Sequence, residues 1–187
     1  MDDWLKLQGY LIVYDQPAYF QGRKEVIARG AATKLLQRVA AGEHEVYAVV
    51  DHNMDRLLAR TGNGTLLLSE DEKGVLATIS MRNTPENARL YTNVRDRLYT
   101  GGSFRFLRRG TIEEDRAGIR VFRELNIAEV TVTGLPVYRE TTLTTRSGDS
   151  ITAEERDGYE HWKIVGDMQT DNTQPGNGGS QVYYCAQ

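Results

Sequence analysis

Histidine side chains are the first candidates for acid–base chemistry, because imidazole is the side chain whose ordinary pKa lies closest to neutrality. The chain has three of them, His44, His52 and His161. His52 directly follows the apolar run 46–50, and a strand end can hold a side chain fixed. His44 lies in a charged Gly-Glu-His-Glu stretch, which predicts a solvent-exposed loop residue. His52 is therefore the candidate general base, although an end-of-strand histidine without a function explains the pattern equally well.

Ser103 is the candidate nucleophile because of its sequence setting. Gly101 and Gly102 precede it, at the point where a predicted helix gives way to a predicted strand. Glycines beside a nucleophile let a substrate backbone approach and leave amide N–H groups available to an oxyanion. A helix C-cap followed by an ordinary strand serine is the alternative interpretation. Arg105 occupies the last glycine position of a G-x-S-x-G elbow, so an α/β-hydrolase is disfavoured.

A carboxylate that orients the histidine would complete such a site, and two glutamates are candidates. Glu129 interrupts an otherwise apolar and threonine-rich stretch, where a charged side chain needs a physical reason. Glu124 precedes that stretch. Strand alternation places Glu129 on the face of Ile127 and Thr131, and the sequence leaves open whether that face is interior or solvent-facing.

Metal and cofactor sites have little support in the sequence. Asp51, His52 and Asp55 could supply ligands, but no second histidine lies at a supporting spacing. The single cysteine, Cys185, excludes an internal disulfide and a cysteine-cluster metal site. The chain has no dinucleotide-binding glycine motif after a strand and no phosphate-binding loop. We therefore expect no metal and no cofactor.

Short β-rich runs dominate the elements that must position these residues. Helical patterns occur at 26–40 and at 85–99, the second with Thr84 as N-cap, Pro85 at the first helical position, Leu98 in its apolar stripe and Gly101-Gly102 as its stop. Because adjacent strand pairs outnumber helices, we expect an α+β fold: a mainly antiparallel β-barrel, or sandwich, with packed helices. The predicted strands are 7–14, 46–50, 64–68, 74–81, 103–107, 119–122 and 127–133.

Charge divides the chain near residue 145. The 187 residues carry a net charge of −3, of which residues 146–187 contribute −4 and residues 1–145 contribute +1. Neither part has the basic footprint of a nucleic-acid binder, and no apolar run approaches the ~20 residues of a membrane span. The opening Met-Asp-Asp is unlike a secretory signal. We predict a folded domain at 1–145 and an acidic, largely disordered C-terminal tail at 146–187.

Several segments, taken in order, resemble those of the tailed-bacteriophage prohead proteases, the enzymes of capsid maturation. Residues 51–61 resemble the histidine segment of that family and 63–74 the hairpin that follows. The helix at 85–99 leads into Gly102-Ser103-Phe104-Arg105-Phe106, which is similar to the nucleophile segment. The resemblance covers roughly residues 7–140 and includes 9–14, 29–31, 127–132 and Pro136.

The resemblance implies a serine endopeptidase with a fold like that of herpesvirus assemblin, a β-barrel surrounded by helices. It implies His52 as general base, Ser103 as nucleophile and Glu129 as the third member. Arg105 stands where the family usually has a glycine, and we expect its side chain to point to solvent rather than to an oxyanion. The expected substrates are the phage scaffold and major capsid proteins, inside the procapsid in the host cell cytoplasm.

Further expectations concern the tail, the assembly and the alternative functions. Self-cleavage would remove the tail, which otherwise would tether the enzyme during shell assembly, and assemblin-like enzymes suggest a homodimer. A structural procapsid protein that keeps the fold but has lost activity is the main alternative. A small β-rich binding module, with His52 and Ser103 both incidental, is the third.

Overall fold

The computed structural model describes residues 4–146, so the predicted tail and His161 lie outside the described residues. The described part contains twelve β-strands and two α-helices. In chain order they are β1 (Trp4–Val13), β2 (Pro17–Phe20), β3 (Arg23–Ile27), α1 (Thr33–Ala40), β4 (Tyr47–Val50), β5 (Asn53–Arg60), β6 (Leu66–Glu70), β7 (Gly74–Arg82), α2 (Pro85–Arg95), β8 (Gly101–Phe106), β9 (Ile112–Arg116), β10 (Ile119–Glu124), β11 (Ile127–Thr133) and β12 (Thr144–Arg146).

These strands form three four-stranded sheets, with the orders β12-β1-β7-β6, β2-β3-β10-β9 and β5-β4-β11-β8. Seven of the nine strand pairs among residues 4–146 are antiparallel, and the β10–β3 and β11–β4 pairs are parallel. The mainly antiparallel, β-rich fold with two helices is thus confirmed. Closure of these sheets into a barrel stays a prediction.

The hydrophobic core is contributed by all three sheets and both helices. Leu7 and Leu11 of β1, Ile79 of β7 and Val130 of β11 are among its fully buried members. β11 is buried on both faces, because Glu129 and Thr131 are as inaccessible as the valines that alternate with them. The face that carries Glu129 is therefore interior to the molecule, and this places polar groups at the centre of the third sheet.

Helix α2 begins as the sequence predicts and ends earlier. The Thr84 side chain accepts a hydrogen bond from the Asn87 N–H, as an N-cap residue does. The helix stops at Arg95, and Leu98 is 66% exposed rather than part of the apolar stripe. The stop assigned to Gly101-Gly102 is wrong, because these glycines already belong to β8 and pair with β11.

The predicted helix at 26–40 is correct only in its second half. Residues 23–27 form β3, which pairs with β10, and Gly30 takes a left-handed conformation with φ of +79°. Strands β2, β5, β9 and β12 have no counterpart in the predictions. All four lie at sheet edges, where side chains face water and the apolar alternation that marks a strand is absent. No described helix is long and apolar enough to cross a membrane.

Candidate active site

A two-residue turn between β4 and β5 carries His52. Asp51 and His52 both have positive φ values, +49° and +56°, which is costly for residues other than glycine. Neighbouring groups hold this turn: the Asp51 N–H donates to the Val132 carbonyl at 3.1 Å, and the His52 N–H donates to Thr131 Oγ1 at 2.9 Å. The Tyr99 hydroxyl donates to Asp51 Oδ2 at 2.9 Å. The turn conformation is thus imposed by tertiary contacts from β11 and from the segment before β8.

The His52 ring is paired with a buried carboxylate. His52 Nδ1 lies 2.5 Å from Glu129 Oε1, and the two side chains are 18% and 1% exposed. Because a carboxylate accepts hydrogen bonds, the neutral ring carries its proton on Nδ1 and presents the lone pair of Nε2. The predicted His52 and Glu129 are therefore brought together, in the arrangement that a general base requires.

Ser103 lies two strands away from the histidine turn. It occupies β8 directly opposite Thr131 of β11, whose hydroxyl accepts the His52 N–H. Residues opposite each other in a strand pair share a face, so Ser103, Thr131 and Glu129 lie on the same side of the sheet. The Ser103 residue is 3% exposed, and within the described residues no hydrogen bond joins its hydroxyl to His52.

The two glycines before Ser103 are required by close packing. A Cβ at Gly101 would collide with Thr141 Oγ1, and a Cβ at Gly102 would collide with the Leu11 side chain and lie 2.9 Å from the Thr131 carbonyl oxygen. The Gly102 N–H donates to Thr141 Oγ1 at 3.2 Å. Both glycines have ordinary negative-side φ values, so neither needs the left-handed conformation. The small size of Gly101 lets the segment 134–143 pack against the start of β8, and that of Gly102 lets β1 and β11 approach.

Arg105 does not point to solvent, and that expectation is wrong. Its side chain is 9% exposed, because Arg105 lies on the covered face of β8 that also carries Ser103. It stands opposite Glu129 in the strand pair. Its Nη2 donates to the His52 carbonyl at 3.0 Å, and its Nε lies 3.9 Å from Glu129 Oε1. The guanidinium therefore contacts both partners of the histidine–glutamate pair.

His44 is half-buried, which contradicts the expectation of a solvated loop residue. Its Nε2 lies 2.6 Å from the Ile127 carbonyl, and Arg38 donates to its Nδ1 at 3.3 Å. Since arginine can only donate, the ring is neutral with its proton on Nε2. Burial lowers the pKa of His44, which favours that neutral form. The loop before β4 is thus tied to the first residue of β11.

The remaining candidates do not join the His52 cluster. Glu124 pairs with Lys34 at 2.5 Å and belongs to the β10 strand of another sheet. Among residues 4–146, no three His, Cys, Asp or Glu side chains gather as a metal ion would require. Sequence reasoning missed Thr131 and Tyr99 as supports of the turn. Thr131 could have been found from strand alternation, which places it on the same face of β11 as Glu129. No sequence feature indicated a role for Tyr99.

Burial also affects the tyrosine that supports the turn. Burial, followed by the hydrogen bond to Asp51, raises the pKa of Tyr99. Its hydroxyl therefore stays protonated and keeps donating to Asp51 at neutral pH.

Comparison with known proteins gives one family match. A family model described as caudovirus prohead serine protease matches residues 2–154. A solved structure of KSHV protease in complex with a hexapeptide phosphonate inhibitor is similar to this chain at 11% sequence identity, over 87% of this chain and 77% of that one. The TM-score is 0.41, too low for that similarity to support any conclusion about this chain. No curated protein matches the sequence.

Proposed function

The chain belongs to the caudovirus prohead serine proteases, and from this premise we propose that it is a serine endopeptidase with Ser103 as nucleophile, His52 as general base and Glu129 as the group that orients the base. The observation that carries the proposal is the His52–Glu129 contact of 2.5 Å on the face of the sheet that also bears Ser103. A buried carboxylate on Nδ1 is the feature that distinguishes a base from an incidental histidine.

The mechanism follows from this arrangement. Glu129 keeps the Nδ1 proton in place, so Nε2 can take the proton of the Ser103 hydroxyl as that oxygen attacks a peptide carbonyl. Backbone N–H groups near Ser103 stabilise the tetrahedral oxyanion. The imidazolium then returns the proton to the leaving amine, and water, activated by the same ring, hydrolyses the acyl-enzyme. Glu129 stabilises the imidazolium that forms in both halves of the reaction.

The substrates in this proposal are the major capsid and scaffold proteins of a phage, cleaved inside the procapsid in the host cytoplasm. Family membership supports this substrate class. Cleavage of the enzyme's own tail and a homodimeric assembly complete the proposal.

Co-expression with the capsid protein tests the function. Wild type should shorten the capsid protein, measured by mass spectrometry, whereas Ser103→Ala and His52→Ala should leave it at full length. Ser80→Ala, which changes another buried serine, and His44→Gln are the matched controls and should process normally. Processing by both Ser103→Ala and His52→Ala would contradict the assignment.

A structural procapsid protein without activity is the second candidate. The 3% exposure of Ser103, together with the lack of a hydrogen bond to His52 in the described chain, favours it. Catalytic hydrogen bonds are often unformed until substrate binds, which is why the protease remains the first candidate. Incorporation of the wild type into procapsids without any cleavage would decide for the structural role.

A further inference from the structure

The guanidinium of Arg105 places a positive charge where the His52–Glu129 pair adjoins β8, the strand that carries Ser103. Its side chain is 9% exposed and that of Glu129 is 1% exposed, and the two residues are direct partners across β8 and β11. Burying a guanidinium is unfavourable unless its charge and its donors are used. Arg105 Nη2 donates to the His52 carbonyl, and Arg105 Nε lies at an ion-pair distance of 3.9 Å from Glu129 Oε1.

The first use of Arg105 is electrostatic. Glu129 Oε1 contacts His52 Nδ1, whereas Glu129 Oε2 is buried and has no hydrogen-bond partner among the described residues. A nearby positive charge offsets part of the cost of burying such a carboxylate. Arg105 Nε lies 3.9 Å from Oε1, and arginine keeps its charge at any working pH. The guanidinium thus places a buried positive charge beside the carboxylate that contacts His52.

The second use of Arg105 is mechanical. The backbone of His52 has a φ of +56°, and both of its main-chain polar groups are held from the same face of the sheet. Thr131 accepts the His52 N–H and Arg105 donates to the His52 carbonyl. With both groups fixed, the imidazole projects from a backbone that cannot relax to a commoner conformation. Ser103 lies on the same strand as Arg105, two residues earlier.

We propose that Arg105 is a positioning residue for the His52–Glu129 pair: it holds the His52 turn through its carbonyl and balances the charge of Glu129. It acts through these two residues, and the inference rests on the proposed protease function. An ammonium group can supply the charge but not the planar fork of donors, so lysine should replace arginine only in part.

Substitution of Arg105 separates these contributions in the full-length chain. Arg105→Met keeps the length of the side chain and removes charge and donors, and Arg105→Lys keeps the charge. Arg116→Met is the control, because Arg116 is exposed and pairs with Glu114 on an edge strand of another sheet. We expect kcat on a capsid-derived peptide to fall about 100-fold in Arg105→Met with KM nearly unchanged, as for a misplaced catalytic group. Arg105→Lys should recover part of the loss, and Arg116→Met should match wild type.

The second readout does not depend on activity. The chain has only three histidines, so ring nitrogen and proton resonances in ¹⁵N-histidine NMR can be assigned with His52→Gln, and His44 serves as an internal reference. The His52 resonances should shift strongly in Arg105→Met and weakly in Arg105→Lys, while those of His44 stay in place. Circular dichroism checks folding, and if Arg105→Met is unfolded, the comparison is made with Arg105→Lys.

The two proposals can fail separately. If wild type does not cleave the peptide and a fluorophosphonate does not label Ser103, the proposed function fails. The His52 resonances then still decide whether Arg105 positions the ring. A folded Arg105→Met or Arg105→Lys variant with wild-type kcat and unchanged His52 resonances would overturn the role of Arg105.

Discussion

A glutamate that is 1% exposed in the middle of a β-strand needs a compensating partner, and Glu129 has two. His52 contacts one carboxylate oxygen and Arg105 lies opposite it across the strand pair. Removing Arg105 would leave the Glu129 carboxylate without its buried cation, and breaking a buried ion pair typically costs about 3–5 kcal/mol of folding free energy. The pairing explains why a charged residue is tolerated at this buried position, and it is consistent with the proposed role of Glu129 as the group that orients His52.

Glu129→Gln tests this role because the amide keeps the shape of the side chain and loses its charge. The amide can hold the ring in the wrong tautomer and cannot stabilise an imidazolium, so kcat should fall by roughly 10³- to 10⁴-fold with little change in KM. Peptide hydrolysis measures it. Glu124→Gln is the matched control, since Glu124 pairs with Lys34 on a different sheet, and it should keep wild-type kcat. Equal activity of the two variants would remove Glu129 from the site.

Close packing between elements holds the site in place. Thr141 and Pro136 of the segment 134–143 pack against Gly101 at the start of β8, where a side chain would not fit. Tyr138 in that segment stacks on Phe104, the neighbour of Ser103, and its hydroxyl donates to the buried Glu25 of β3 at 2.9 Å. The segment 134–143 is thus held between β8 and β3, and it fixes the backbone that carries Ser103.

The loop before β4 makes the stability of the fold depend on pH. Burial lowers the pKa of His44, so the unfolded chain takes up a proton on this ring before the folded chain does. The contribution of His44 to the free energy of unfolding is therefore complete above about pH 6.5, and it decreases as the pH falls below that value.

Urea unfolding at pH 7.5, 6.5 and 5.5 measures this effect. His44→Gln retains an N–H donor for the Ile127 carbonyl but does not titrate, so its free energy of unfolding should fall less than that of wild type on acidification. If wild type and His44→Gln lose stability in parallel, the proton uptake belongs to other groups.

The whole molecule divides its charge unevenly. Residues 1–145 carry +1 and residues 146–187 carry −4, and the family match runs from residue 2 to residue 154. The boundary at residue 145 and the character of the tail stay predictions, because the described residues end at Arg146. If the domain cleaves its own chain, an attached acidic segment is presented to it at high effective concentration.

We expect the tail to be removed by the enzyme's own activity. Active wild-type protein should lose mass from its C-terminal side on incubation, and Ser103→Ala should retain its full mass, 21.1 kDa plus that of the tag. Both proteins are purified with an N-terminal tag, and mass spectrometry of the tagged chain locates the cleavage site. A wild-type sample that processes capsid protein while staying at full length would show that the tail is retained.

The family resemblance, confirmed over residues 2–154, could be recognised in the sequence because its segments occur in order along the chain. The long buried strands β7 and β11 and the capped start of α2 were also predictable. Each is encoded locally: apolar runs mark buried strands, and a threonine before a proline marks a helix start. The same reasoning fails for the edge strands, whose exposed side chains carry no apolar pattern.

The sequence by itself determined the residue types of the candidate site and their order. His52, Ser103 and Glu129 stood out because each is a reactive or charged residue beside an apolar or glycine-rich stretch. Only the tertiary structure decided which of them meet: His52 and Glu129 lie 77 residues apart in the chain and 2.5 Å apart in the fold. It also showed that Arg105, which was expected to face solvent, is buried beside that pair. Contacts of this kind depend on strand register and on burial against distant segments, and neither is encoded in neighbouring residues.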